Sequence, residues 1–293
     1  MRRVAVVAHA GKTTGGGLLE LRRRLEEAGV ADPLWYEVPK SRKAGKQVER
    51  ALDEGAELVL AWGGDGTVQR CIDVLAGTGT PLAIVPAGTA NLLATNLGIP
   101  KDIGAAVRIG LHGTRRTIDV GRLNGERFAV MAGAGLDAAM IRDADAGLKD
   151  RVGRIAYVWT GARNVRAKPF RAKIRVDGTS WFDDSASCIL VGNVGNLFGG
   201  IEAFDDARPD DGMLELGVVT ADGLVQWART MARTAMGTTA RSPFVEVTRA
   251  REIDVRLSRK VLYELDGGDR EKIKSLQVEV EPGAIDICVP GAA

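Results

Sequence analysis

Six consecutive residues, Trp62-Gly63-Gly64-Asp65-Gly66-Thr67, carry the densest chemical signal in the chain. Glycines let backbone N–H groups approach an anion with no Cβ in the way. A carboxylate placed among phosphate oxygens is repelled unless a metal or a substrate hydroxyl accompanies it, so Asp65 points to a nucleotide together with magnesium. A second stretch, Pro86-Ala87-Gly88-Thr89-Ala90-Asn91, offers a backbone donor at Gly88 and a hydroxyl at Thr89. A third, His9 to Gly17, contains Lys12. It is no Walker loop, because G-x-x-x-x-G-K-[ST] needs Lys and Ser/Thr after the second glycine and Lys12 and Thr13 come before Gly15. Lys12 is left as either a phosphate contact or a solvated loop lysine, and His9 reads as a loop-packing residue.

The elements around these stretches place them on one edge. Val4 to Ala8, Leu34 to Val38, Leu58 to Ala61 and Leu82 to Val85 are apolar runs of strand length. Between them lie helical patterns from Leu18 to Ala28, stopped by Gly29, from Ser41 to Glu54, with Ser41 as N-cap, and from Val68 to Ala76. This alternation predicts a doubly wound parallel sheet, in which ligands bind beyond the carboxyl ends of the strands. All three loops leave from that edge. A last helix, Asp102 to His112 with Asp102 as N-cap, closes a first domain at about residue 115.

The pattern then changes. Arg116 to Leu123 and Arg127 to Ala132 are joined at Asn124-Gly125, a dipeptide suited to a hairpin turn with positive φ. Asp177-Gly178 joins Arg171 to Val176 with Thr179 to Asp183 in the same way. Residues 116–282 therefore read as a mainly antiparallel β domain, and the strand at about 283–293 is a candidate to return to the first domain. Gly133 to Ala138 fits G-x-G-x-x-A, but no βαβ unit follows, so the dinucleotide reading is rejected. A helical stretch is expected instead from Leu148 to Val165.

Composition bounds the functions. The 293 residues carry 40 Lys+Arg against 38 Asp+Glu, a balance that argues against a dedicated nucleic-acid binder. Cys71, Cys188 and Cys288 lie far apart in apolar runs, which suits buried reduced thiols rather than disulfides or zinc. No apolar stretch approaches the ~20 residues of a membrane span. A cytoplasmic protein is expected. Six cations and no acid between Arg163 and Arg175 read either as a solvated face or as a contact with an anionic membrane, worth about 1 kcal/mol per charge near the bilayer. The glycine-rich stretch around Leu197, Phe198 and Ile201 could line an apolar cleft or pack on its own core.

Gly63-Gly64-Asp65-Gly66-Thr67, then Pro86 to Asn91, then Leu97-Gly98-Ile99-Pro100, resembles the diacylglycerol kinase and sphingosine kinase catalytic family in its bacterial soluble lipid-kinase branch. The pair of motifs at this spacing is specific where either alone is weak, and the resemblance runs over nearly the whole chain. It implies ATP as phosphoryl donor, a membrane lipid hydroxyl as acceptor, and a homodimer as one assembly. It also implies a magnesium ion held by Asp211 and the carbonyls of Arg208 and Met213, where the residues alone suggest a simple turn. In this family an Asp-Gly-Glu turn supplies the base that deprotonates the lipid; here it reads Asp266-Gly267-Gly268, so the glutamate is replaced by Gly268. Asp269, Asp65 and Asp119 are the remaining candidates for that proton, Asp119 matching an acidic family position near the active centre. Two alternatives stand beside a lipid kinase: a nucleotide- or lipid-binding member that has lost its base, and a kinase of a soluble substrate such as NAD.

Overall fold

The structure is a computed structural model that describes residues 3–135, 169–198, 201–204, 207–222, 226–227, 230, 233 and 242–291. Outside these fall the expected helix Leu148 to Val165, the second half of Gly133 to Ala138, and Arg163, Arg166 and Lys168. The side chains of Leu197, Phe198 and Ile201 are likewise outside. The described residues form two compact units, Met1–Asp119 with Gly283–Ala293, and Val120–Pro282.

In the first unit, β1 (Val4–His9), β2 (Leu34–Val38), β3 (Leu58–Gly63) and β4 (Leu82–Pro86) are parallel, in the order β2-β1-β3-β4. Every residue of β3 and β4 is buried, which is why these strands read as continuous apolar runs rather than as alternating ones. The connecting helices are α1 (Gly17–Glu27), α2 (Ala44–Asp53) and α3 (Asp65–Leu75). Right-handed crossovers send α1 to one face and α2 and α3 to the other. The order reverses between β1 and β3, the place where such sheets open a crevice for ligands. Two further helices follow β4, the short α4 (Leu92–Asn96) and α5 (Ile103–His112). The predicted Asp102 cap is present, its carboxylate accepting from the Ala105 N–H at 2.7 Å.

Ser41 departs from expectation. It opens a 3-10 turn, Ser41–Lys43, and caps no helix; α2 starts only at Ala44. Its hydroxyl lies instead 2.9 Å from that of Thr67.

The remaining strands are β5 (Thr114–Leu123), β6 (Glu126–Phe128), β7 (Met131–Ala134), β8 (Phe170–Val176), β9 (Thr179–Ala186) and β10 (Cys188–Gly192). They continue with β11 (Asn196–Phe198), β12 (Ile201–Glu202), β13 (Leu214–Val219), β14 (Val245–Ala250), β15 (Glu252–Val261), β16 (Tyr263–Leu265), β17 (Gly268–Asp269) and β18 (Ile273–Val289). The predicted turns Asn124-Gly125 and Asp177-Gly178 both adopt positive φ at each residue, 48° and 93° in the first and 48° and 80° in the second. These are the angles a two-residue hairpin of the right twist needs.

In the second unit one antiparallel sheet runs β14-β13-β10-β7-β16-β17, and β9-β8-β15 with the first part of β18 forms a second. Leu216, Val218, Ile189 and Val191 of the first sheet share a core with Phe170, Ile174, Phe182 and Val255 of the second. Two apolar faces packed in this way make a β-sandwich. The strand expected at about 283–293 is the end of a longer one, β18, whose last residues rejoin the first unit through parallel pairing of Ile287 with Leu82.

The charges on β8 are not a uniformly basic strip. Arg171 and Lys173 both meet Asp183, at 2.9 and 3.3 Å, and Arg175 lies across from Asp254. Among the described residues no helix is long and apolar enough to cross a membrane. All three cysteines are buried and free. Burial pushes the Cys71 thiol up to about 12 and raises those of Cys188 and Cys288.

Candidate active site

The glycine stretch is tighter than a loop. β3 runs through Gly63 and α3 begins at Asp65, so Gly64 alone makes the turn, with φ −97° and ψ −174°. None of Gly63, Gly64 and Gly66 has positive φ, so these glycines are not there for backbone freedom. Two of them are required by space. A Cβ on Gly63 would lie 2.5 Å from the Thr67 side chain, and one on Gly64 would come within 3.1 Å of the Gly88 Cα. The converse is harsher, since a Cβ on Gly88 would sit 2.5 Å from the Gly64 Cα and 2.8 Å from the Asn91 Oδ1. The two glycine stretches therefore touch backbone to backbone, and the Ala87 N–H donating to the Gly63 carbonyl at 2.8 Å fixes their register.

Asp65 completes the junction. The backbone amides of Leu92, Leu93 and Asn91, at the start of α4, and its own amide favour its charged form. Burial pushes its pKa above the ordinary aspartate value, and these amides pull partly against that rise. The carboxylate that sequence reasoning left bare is thus paired with N–H groups, and it binds the first glycine stretch to the second.

Asn91 holds the other side of the joint. It has φ 51° and is 4% exposed, with its Oδ1 accepting from the Gly88 N–H and its Nδ2 donating to the Gly88 carbonyl, both at 2.8 Å. This corrects one expectation, because the Gly88 amide is occupied and is not offered at the mouth. Thr89 is exposed there, with its carbonyl accepting from Lys101 at 3.2 Å. Thr67 is a second correction: it is fully buried, its hydroxyl given to Ser41 rather than to the edge of the sheet. Gly66 is the member of the stretch that is exposed, and a Cβ there would have only Ser41, 3.8 Å away, as a near neighbour. Its amide belongs to the first turn of α3, where no intrahelical carbonyl can accept it, so it is placed to meet an anion.

The first loop joins the same edge. The Thr14 hydroxyl donates to the Ala87 carbonyl at 3.4 Å, and Lys12 is half-buried behind it, its N–H bonded to the His9 carbonyl at 3.1 Å. His9 packs the loop as predicted, with its Nδ1 accepting from the Gly11 N–H at 3.2 Å. Sequence reasoning missed Thr14, Ser41 and Lys101. Thr14 and Ser41 follow strands whose carboxyl ends lie on this edge, a signal that was available in the alternation of elements.

Asp119 also belongs to the first unit. It is 3% exposed, on β5, and its Oδ1 accepts from the Gly283 N–H at 2.7 Å, where φ is 58°. It holds the chain at its return from the second unit.

In the second unit, Asp266 is 5% exposed with φ 46°, and its carboxylate accepts the N–H groups of Ala129, Val130 and Met131 at 2.8 to 2.9 Å. Asn193 anchors the same segment by donating to the Ala129 carbonyl at 3.1 Å. At Gly268 a Cβ would come 2.8 Å from the Arg270 guanidinium, which bonds the Gly268 carbonyl and the Glu126 carboxylate. Asp269 lies on β17, paired in register with Glu264.

The turn expected to hold magnesium is filled from within. The Asp211 Oδ1 accepts from the Met213 N–H at 3.1 Å, and its Oδ2 bonds the guanidinium of Arg249. Arg208 is exposed, 3.7 Å from Asp210. The Asp211 carboxylate is already paired with a cation, which leaves this side chain poorly suited to a magnesium ion.

Residues 3–123 match the diacylglycerol kinase catalytic domain, and residues 130–289 match the YegS C-terminal NAD kinase beta sandwich-like domain. The chain is 31% identical over 259 residues to "Probable lipid kinase YegS-like" of Pseudomonas aeruginosa, an alignment covering 85% of this chain and 82% of that one. It is 29% identical over 255 residues to the diacylglycerol kinase of Bacillus subtilis, covering 85% and 83%. Among solved structures, a diacylglycerol kinase of Bacillus anthracis superposes with a TM-score of 0.77 at 25% identity, over 98% of this chain and 97% of that one. The NAD kinase of Archaeoglobus fulgidus in complex with ATP shares the fold at a TM-score of 0.55 and 12% identity, over 98% and 93%.

Proposed function

Because the chain belongs to the diacylglycerol kinase catalytic-domain family in its YegS-like lipid-kinase form, we propose that it transfers the γ-phosphoryl group of ATP to a diacylglycerol-like or sphingoid-like lipid hydroxyl. The observation that carries this reading is the junction at Asp65. A half-buried carboxylate of raised pKa stands at the carboxyl edge of a parallel sheet, between two glycine stretches and beside the exposed amide of Gly66. Phosphoryl transfer asks little covalent chemistry of the protein and depends on positioning and charge. The first turn of α3 supplies the donors for phosphate oxygens, with Gly66 open to them. Lys12 and Thr89, on the two other loops, are assigned to the same phosphates. Asp65 takes the proton of the attacking hydroxyl, and its desolvated state makes it a better base than an ordinary aspartate. Asn91 fixes the amides that hold Asp65, and the Thr67 to Ser41 bond fixes the start of α3. Magnesium in this reading arrives on the nucleotide phosphates rather than on the Asp211 turn. Asp269 is the second carboxylate assigned to proton transfer, and Asp119 is given a positioning role through Gly283.

The test is incubation with labelled ATP and vesicles carrying diacylglycerol, sphingosine, ceramide or phosphatidylglycerol in turn. A labelled lipid is expected from one of them, lost in Asp65→Asn while nucleotide binding persists. Label in none of the lipids, or label only in NAD without vesicles, would sink the proposal. Asp269→Asn then divides the proton chemistry: full turnover in that variant removes Asp269 and leaves the step to Asp65.

A further inference from the structure

Glu215 and Arg249 face each other directly in the β13–β14 pair. Side chains opposite each other in an antiparallel ladder leave Cβ atoms ~5 Å apart on one face, so the sheet register itself delivers Arg249 to this corner. The guanidinium spans two carboxylates, its Nε donating to the Glu215 Oε1 at 2.8 Å and its Nη2 to the Asp211 Oδ2. Glu215 is nearly buried, with 8% of its side chain exposed, and a buried carboxylate needs a charged partner to remain ionised. The Asp211 Oδ1 is taken by the Met213 N–H, while Gly212, with φ 72°, lets the chain turn back far enough for that bond. The other charged groups of the turn are Arg208 and Asp210, which face each other.

We propose that Arg249 is the resident counter-cation of this turn, a guanidinium tethered by β14 that stands where a divalent cation would otherwise neutralise Asp211, so that the second unit folds without a structural metal. Magnesium requires oxygen ligands at ~2.0–2.1 Å in near-octahedral array. Asp211 cannot present Oδ2 while Arg249 holds it, and a metal drawn up to Oδ1 would face a like charge across the same carboxylate. A fork of planar donors suits two carboxylates at once, which a lysine ammonium would not do. Chelators cannot remove it.

The experiment uses the full chain, nucleotide-free and stripped with chelator. Mn2+ is titrated in and followed by electron paramagnetic resonance, and thermal unfolding is recorded with chelator and with magnesium. Wild type is expected to show no Mn2+ uptake that Asp211→Asn removes, and a midpoint that magnesium leaves unchanged. Arg249→Gln is expected to melt several degrees lower in chelator and to regain part of that loss with magnesium. The assignment is overturned if wild type takes up Mn2+ in a manner Asp211→Asn abolishes, or if Arg249→Gln is as stable as wild type. Should Arg249→Gln fail to fold, the wild-type and Asp211→Asn titrations decide alone.

Discussion

Asp65 in the first unit and Asp266 in the second each face three consecutive backbone amides from a distant part of the chain, hydrogen-bonded at 2.8 to 2.9 Å in the second. For Asp65 they are those of Asn91, Leu92 and Leu93, and for Asp266 those of Ala129, Val130 and Met131. Local chemistry is nearly the same in the two, and the setting is not. The amides around Asp266 come from the connection between β6 and β7, and the residue is 5% exposed within a sandwich. Those around Asp65 come from the start of a helix at the open edge of a parallel sheet, and the residue stays half-buried with exposed Gly66 beside it. The same device is a rivet in one unit and, at an open sheet edge, the base of the proposed transfer in the other.

Substitution at the two sites should pull them apart. The largest effect is expected from Asp65→Asn in phosphoryl transfer, a fall of ~10² to 10⁴ in turnover, the usual contribution of a general base. Its amide NH2 also confronts three backbone donors, at a cost of about 1–3 kcal/mol in urea unfolding. A variant that keeps its turnover would move Asp65 to the side of Asp266. Next comes Asp266→Ala, which strands three buried N–H groups and should lower stability by about 3 kcal/mol or more, read from the denaturation midpoint. Little change there would mean that water replaces the carboxylate and that the rivet is dispensable.

Gly88→Ala tests the joint that only Asp65 shares. Its methyl would enter the Gly64 backbone and the Asn91 amide, so a loss of about 1–3 kcal/mol is expected, together with weaker nucleotide binding by fluorescence titration. Equal affinity in the variant would show the two stretches to be independent. The smallest effect is the pH dependence. Because burial raises the Asp65 pKa, the native chain binds this proton more readily than the unfolded one. Its contribution to stability is therefore fully present below the ordinary aspartate range and is lost as pH rises through the raised value. Subtracting Asp65→Asn unfolding curves from wild type over mildly acid pH should expose that slope, while turnover rises over the same interval as the base ionises.

The alternation of strands and helices in the first unit was legible because β3 and β4 are apolar throughout and their helices end at Gly29 and Gly55, both at positive φ. Hairpins were legible wherever Asn-Gly or Asp-Gly demanded the same angle, as at Asn124 and Asp177. What escaped was contact between distant segments. Nothing local in Gly64 or Gly88 says that each lacks a side chain because the other occupies its space. Ser41 carried a cap signal, and its hydroxyl is instead hydrogen-bonded with that of Thr67, 26 residues further along the chain. The Asp211 turn read as a simple one from its residues and as a magnesium site only through the family resemblance; neither reading shows its partner Arg249, 38 residues away on a strand whose pairing the turn does not encode.

The three cysteines carry a practical consequence. Cys71 on α3 and Cys288 at the end of β18 belong to the first unit, and Cys188 on β10 to the second. All are buried with thiols pushed away from ionisation, so alkylation must wait until the surrounding unit opens. The native chain thus carries its own stopwatch for each unit. A mass spectrum of timed alkylation, resolved by peptide, would say which half lets go first with no probe introduced.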